Sequence, residues 1–136
     1  LTRATDAGNP YSAFHLGRMF MKGWGVEKDG RQALAYFRLS AQRNFVNAYE
    51  FIGDVLAAGK DGVDQDLPQS YANYIIAYEG GILRDTDGSR TVAERAAEKM
   101  VALEAQMTAE QIEAARQTAA DWIAEYGVLD FNLVNQ

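Results

Sequence analysis

The sequence of 136 residues has no cysteine, only two prolines and a single histidine, His15. Without cysteine the chain has no disulfide, no thiolate nucleophile and no cysteine-based zinc site. Two prolines are too few for a proline-rich linker, and 48% hydrophobic with 24% charged residues is typical of a chain that folds. No run approaches the ~20 apolar residues that cross a bilayer, so membrane insertion is not expected.

Basic stretches are also scarce. The formal charge is −6, and the excess of acidic residues lies entirely within residues 85–136. A nucleic-acid-binding surface needs a basic stripe that displaces counterions from phosphates, and the sequence has none. Nucleic acid is therefore not an expected partner.

The length fits one domain. Leu1 stands where an initiator Met would be, so we expect a piece of a longer chain or a processed form. The first residues have no basic and apolar leader pattern, and they leave the cellular location open.

An internal repeat dominates the first part of the chain. The first copy contains Leu16-Gly17, Phe20, Gly23, Gly25-Val26, Asp29, Ala33, Phe37 and Ser40-Ala41. The second copy contains Ile52-Gly53, Leu56, Gly59, Gly62-Val63, Asp66, Ser70, Tyr74 and Ala77-Tyr78. The offset grows from 36 to 37 positions, which indicates one extra residue within Lys60-Asp61.

Each copy predicts two antiparallel helices, because its apolar residues recur at helical spacing. Gly17 and Gly53 would let helix backbones approach closely, and Asp29 and Asp66 are suited to cap the second helices. Gly23 and Gly25 are suited to the positive φ angles that end a helix. Residues 91–126 predict a further helix pair, and Thr108-Ala-Glu-Gln111 between its helices has the spacing of a capping box.

The spacing Gly-x-Gly-Val-x-x-Asp and a period near 36 resemble the SEL-like (Sel-one-like) repeats, a branch of the tetratricopeptide superfamily. The resemblance implies an all-α fold, a right-handed α/α superhelical solenoid whose concave side is lined by the first helix of each pair. It also implies a role as an adaptor or scaffold, with the bacterial envelope or signalling as the favoured setting. Asn44, Ser70 and the extra residue near Asp61 depart from the family pattern and put the curvature in doubt.

On this basis we expect a single domain made of five segments. Residues 1–7 are interpreted as the end of a preceding repeat helix, 8–43 and 44–81 as the two repeats, 90–126 as a C-terminal capping helix pair and 127–136 as a tail.

The sequence gives little support for a catalytic role or a metal site. His15 has no cysteine or second histidine as a partner, and no set of nucleophile, base and oxyanion donors is present. Asp85 to Ser89 begins like a calcium loop, but Arg90 and Ala96 stand where such a loop needs Gly and a bidentate Glu. We therefore expect no enzyme activity, no cofactor and no metal.

The expected partner is another protein or peptide, held in a groove of mixed charge. The candidate groove residues are the exposed positions of the first helices and one turn aromatic: His15, Arg18, Lys22, Trp24, Asn47, Glu50 and Asp54. For the helix positions, and for the carboxylates in particular, plain solvent exposure is the alternative; for Trp24 the alternative is packing on the next loop. A structural or assembly role, with self-association through the ends and the apolar tail, is the alternative function.

Overall fold

The computed structural model describes residues 9–43, 45–84 and 87–126, and within these ranges it contains six α-helices and no strand. The helices are α1 (Pro10–Lys22), α2 (Gly30–Gln42), α3 (Val46–Ala58), α4 (Leu67–Arg84), α5 (Asp87–Glu104) and α6 (Ala109–Tyr126). The predicted all-α class is confirmed. None of the helices in the described ranges has the length and apolar character that a membrane span requires.

Three stretches singled out in the sequence fall wholly or partly outside the described residues. These are the preceding helix end at 1–7, the tail at 127–136 and part of the calcium-like stretch, residues 85 and 86. Asp87, which belongs to the same stretch, already begins α5.

The helix ends of the first repeat are defined by local hydrogen bonds. Asn9 accepts from the backbone N–H of Tyr11 at 2.8 Å, and Asp29 accepts from that of Arg31 at 3.0 Å. Gly23, directly after α1, has φ 74°, a conformation that glycine adopts without a steric penalty. The predicted cap at Asp29 and the predicted glycine end of α1 are confirmed.

The later helices have the predicted caps too. Asp66 accepts from the backbone N–H of Gln69 at 3.1 Å. The Gln111 side chain accepts from the N–H of Thr108 at 2.9 Å, and the Thr108 hydroxyl accepts from the N–H of Gln111 at 3.1 Å. This reciprocal pair is the capping box expected before α6.

Within each repeat a glycine of the first helix lies directly under an aromatic ring of the second. A Cβ added at Gly17 would lie 2.6 Å from Phe37 Cδ1, and one added at Gly53 would lie 2.5 Å from Tyr74 Cε1. Both rings are buried. The predicted close approach of the paired helices is therefore confirmed at both glycines.

The helix α4 lies at the centre of the molecule. It packs against α3 of its own repeat and against both following helices, α5 and α6, which contact α4 more than they contact each other. Its buried residues face several directions around the helix, as expected for an element covered on more than one side. They are Ser70, Tyr71, Ala72, Tyr74, Ile75, Ile76, Ala77, Gly80 and Gly81.

The first helices of successive pairs lie side by side. The Phe14 ring of α1 contacts the Phe51 ring of α3 with 4.9 Å between centroids, and α3 in turn packs beside α5. We call the surface formed by α1, α3 and α5 the first-helix face.

The turn of the second repeat is hydrogen-bonded to the start of α2. The N–H of Gly30 donates to the carbonyl of Asp61 at 2.7 Å, and Arg31 Nε donates to the carbonyl of Gly62 at 2.9 Å. Asp61, in the stretch with the extra residue, has φ 56°, which is uncommon outside glycine. The insertion therefore supplies a backbone acceptor to the preceding repeat.

We expect Gly53→Ala to lower the free energy of unfolding by about 1–3 kcal/mol, because the added carbon would overlap the buried Tyr74 ring. Denaturant unfolding followed by circular dichroism measures the loss. Gly88→Ala in α5 is the matched control, since no atom lies within 4 Å of its added carbon. The control should be neutral or stabilising by up to about 1 kcal/mol. Equal losses in both variants would contradict the close packing at Gly53.

Candidate binding surface

The side chain of Arg18 lies among three aromatic rings on the first-helix face. Its guanidinium carbon is 5.2 Å from the centre of the Trp24 ring and 5.9 Å from the centres of the Phe14 and Phe51 rings. These distances are within the range of cation–π attraction. The rings therefore hold the guanidinium in place between α1, α3 and the turn after α1.

The Arg18 side chain has no hydrogen bond and no ion pair within residues 9–43, 45–84 and 87–126. Its Nε atom is buried without a hydrogen-bond partner. Lys22, one turn further along α1, is exposed and likewise has no ion pair to another described residue. The part of the face beside α1 thus holds two cations that are not neutralised by an acidic group.

The Glu50 carboxylate on α3 is buried, with 1% of the residue exposed, and it is bound by two cations from α5. Arg95 Nη2 donates to Oε1 at 2.7 Å and its Nε donates to Oε2 at 3.0 Å, a two-point contact. Lys99 Nζ donates to Oε2 at 2.6 Å. A buried carboxylate has lost its water, and these three charge-assisted hydrogen bonds replace the hydrogen bonds that water would make.

Asp54, one turn further along α3, joins the same cluster. Lys99 Nζ lies 2.9 Å from its Oδ1 atom, and the Tyr74 hydroxyl donates to the same oxygen at 2.6 Å. We call Glu50, Asp54, Arg95 and Lys99 the ion-pair cluster. It joins α3 to α5 and leaves both carboxylates of α3 neutralised.

The cluster shifts the pKa values of Glu50, of Lys99 and of the neighbouring Tyr74. Burial alone would raise the pKa of the Glu50 carboxyl, but hydrogen bonds and charge from Arg95 and Lys99 outweigh it and lower that pKa. Burial likewise opposes the charge of Lys99, yet the two carboxylates raise the pKa of its ammonium. Burial and the charge of Asp54 raise the pKa of the Tyr74 hydroxyl. Glu50 and Lys99 therefore stay ionised around neutral pH.

The sequence-based view of Glu50 and Asp54 as exposed groove carboxylates is wrong for Glu50, which is buried, and only partly right for Asp54, which is half-buried. The physical reason is α5, which places Arg95 and Lys99 over both acids. Sequence reasoning missed these two cations. Their spacing of four residues, equal to that of Glu50 and Asp54, is a signal that could have suggested the pairing.

The other predicted groove residues are distributed along the face. His15 is exposed on α1, and Asn47 is half-buried on α3. Trp24 lies beside Arg18 and remains 45% exposed. Lys22 and Asp54 line one hollow of about 310 Å³ near the turn ends of the repeats.

A second hollow, of about 250 Å³, lies between α2, α3, α4 and α6. It has an apolar floor that includes Ile52 and Ile76, and Tyr49 and Trp122 are its aromatic walls. Trp122 Nε1 donates to the Tyr49 hydroxyl at 3.4 Å. Nothing in the sequence pattern pointed to this hollow.

No group of three or more histidine, aspartate or glutamate side chains among the described residues is arranged to hold a metal ion.

The family model of the Sel1 repeat matches the chain twice, at residues 10–45 and 46–82. The chain belongs to the Sel1-repeat family. The matched segments contain α1 with α2 and α3 with α4, so each Sel1 repeat is one of the helix pairs described above. Sel1 repeats are generally protein-interaction modules and typically non-catalytic.

Among solved structures, the chain is similar to a protective antigen present in uropathogenic Escherichia coli strains, which displays an SLR (Sel1-like repeat) fold. The TM-score is 0.72 at 24% sequence identity, which shows the solenoid fold. The match covers 93% of this chain and 25% of the antigen, so the chain spans about a quarter of that protein's length. No curated protein matches the sequence significantly.

The two Sel1 repeats supply only part of the first-helix face. Arg18 belongs to the first repeat, and Glu50 and Asp54 belong to the second. Arg95 and Lys99 come from α5, which lies beyond both matched segments. The helix that follows the Sel1 repeats therefore completes the surface as well as covering α4.

We expect Glu50→Gln to lower the free energy of unfolding at neutral pH by about 1–3 kcal/mol, because Arg95 and Lys99 lose a buried counter-charge. The folded-state pKa of Glu50 lies below its unfolded value, so this stabilisation is complete above roughly pH 5 and is lost as the pH falls through the folded value. Thermal melting of both proteins between about pH 7 and about pH 3 should therefore show the gap closing at acid pH.

Glu94→Gln is the matched control for this experiment, since Glu94 is exposed on α5. It should melt close to wild type at every pH. A gap between wild type and Glu50→Gln that stays constant down to acid pH would contradict the role given to the Glu50 carboxylate.

Proposed function

We propose that the chain is a non-catalytic adaptor or scaffold module that holds a segment of another protein on the first-helix face. The observation that carries the proposal is the neighbourhood of Trp24 and Arg18. A half-exposed aromatic ring lies beside a guanidinium that has no ion pair among the described residues. Tryptophan and arginine are the side chains most often responsible for binding energy at protein interfaces.

The ion-pair cluster supports the proposal because it holds the side chains of this part of the face in fixed positions. Glu50 is held by three hydrogen bonds of 3.0 Å or less, and the second carboxylate is held by Lys99 and Tyr74. A surface that is already ordered loses little conformational entropy when a partner binds. The bacterial envelope or signalling remains the setting that the family resemblance favours.

Site-specific photo-crosslinking tests the face directly. A benzophenone amino acid placed at His15 or Asn47 should form adducts with a partner from an extract of the native cell. The same group at Glu113, which is exposed on α6, should form none with that partner. Mass spectrometry of the adducts identifies the partner and the crosslinked peptide. Equal adducts at Glu113, or adducts at none of the face positions, would contradict the proposal.

A second candidate function is self-association. The end of α4 exposes Ile82 at 51% and Leu83 at 55%, with Tyr78 one turn before them. Adjacent exposed apolar side chains are favoured sites of protein association.

Sedimentation over a range of concentrations tests this candidate. We expect a rise in average mass with concentration that Ile82→Lys with Leu83→Lys abolishes, because charge replaces the apolar contact. Val101→Lys, at an exposed apolar position on α5, should leave the association unchanged. A monomer mass at every concentration, or equal effects of the two changes, would remove the candidate. Shortening the chain after Tyr126 tests the contribution of the tail.

A further inference from the structure

We propose that Arg18 and Trp24 form the seat for one acidic side chain of the partner, an Asp or Glu next to an apolar residue. This inference rests on the proposed function and names the chemistry that the first-helix face recognises.

The hydrogen-bonding capacity of Arg18 is the first argument. A guanidinium carries five N–H donors in its plane, and stacking on aromatic rings uses its faces but leaves these donors unpaired. Within the described residues no carbonyl, hydroxyl or carboxylate accepts from Arg18, and its Nε atom is shielded from water. A bound carboxylate would accept from the two Nη groups in a two-point geometry, since these, unlike Nε, are not shielded from solvent.

The neighbouring charges are the second argument. The acids of α3 are directed to α5, where Arg95 and Lys99 neutralise them. They are therefore not available to Arg18. Lys22 adds a further cation on α1. In a chain whose formal charge is −6, this part of the surface favours an acidic segment over a basic one.

The aromatic rings are the third argument. Phe14, Trp24 and Phe51 surround the guanidinium at 5.2 to 5.9 Å and lower the local polarity, which strengthens an ion pair formed there. Trp24 keeps 45% of its surface exposed next to the seat. An apolar side chain beside the partner's carboxylate would cover that surface.

Selection from a library of displayed random peptides tests the inference without a known partner. The peptides are fused through their C-terminal ends, so that only side-chain carboxylates are presented. Against the wild-type chain we expect enrichment of Asp or Glu at one fixed position with an apolar neighbour. Against Arg18→Glu the acidic residue should be replaced by Lys or Arg. Arg38→Glu, an exposed arginine on α2, should leave the wild-type preference intact.

A second measurement uses the wild-type chain and therefore does not depend on how the variants fold. The selected peptide is compared with a version in which its acidic residue is changed to the amide, and we expect binding to weaken about ten- to hundredfold. The two tryptophans, Trp24 and Trp122, give separate indole N–H signals in NMR, assigned with Trp24→Phe and Trp122→Phe. The peptide should shift the Trp24 signal and leave that of Trp122 in place.

The outcomes separate this inference from the proposed function. Peptides that shift the Trp24 signal but show no acidic preference would overturn the seat and leave binding at the first-helix face standing. Peptides that shift only the Trp122 signal, or a selection that enriches nothing, would overturn both.

Discussion

The contact between a glycine backbone and an aromatic ring sets the geometry of both repeats. Phe37 lies over Gly17 and Tyr74 lies over Gly53, so the paired helices approach to a distance that no larger residue would allow. This approach fixes how far each first helix lies from its partner. It thereby fixes where α1 and α3 present their outer residues. Tyr74 connects the helix contact to the first-helix face, since its ring packs on Gly53 while its hydroxyl donates to Asp54 on that face.

The ion-pair cluster divides the first-helix face into two parts with different properties. On the side towards α5, Glu50 and Asp54 are matched by Arg95 and Lys99, and the groups satisfy each other. On the side towards α1, the Arg18 guanidinium is held by aromatic rings and by no acidic group among the described residues. A buried, satisfied cluster contributes rigidity and specificity of packing more than attraction for a partner. The side with the unmatched cation is the one from which binding energy would come.

Much of the fold follows from local sequence signals. The repeat, the caps at Asp29 and Asp66, the capping box at Thr108 and the glycine contacts depend on residues at short spacing or on the period itself. The burial of Glu50 depends instead on residues 45 and 49 positions later, outside both Sel1 repeats. Periodicity places a residue on a helix face but does not show what covers that face. The hollow between α2, α3, α4 and α6 escaped prediction for the same reason, because residues far apart in the sequence form it.

Because of the hydrogen bond from Gly30 to Asp61, the first repeat can precede the second, but the two cannot be exchanged freely. Gly30 has room under the inserted turn only because it lacks a side chain, since a Cβ there would lie 2.8 Å from the Asp61 carbonyl oxygen. The corresponding position of the second repeat is Leu67. A tandem duplication of the second repeat would place a leucine against the turn of its own copy, and the two would clash. The two repeats are therefore not interchangeable. In a longer array, a repeat with this inserted turn would have to follow a repeat whose second helix begins with glycine.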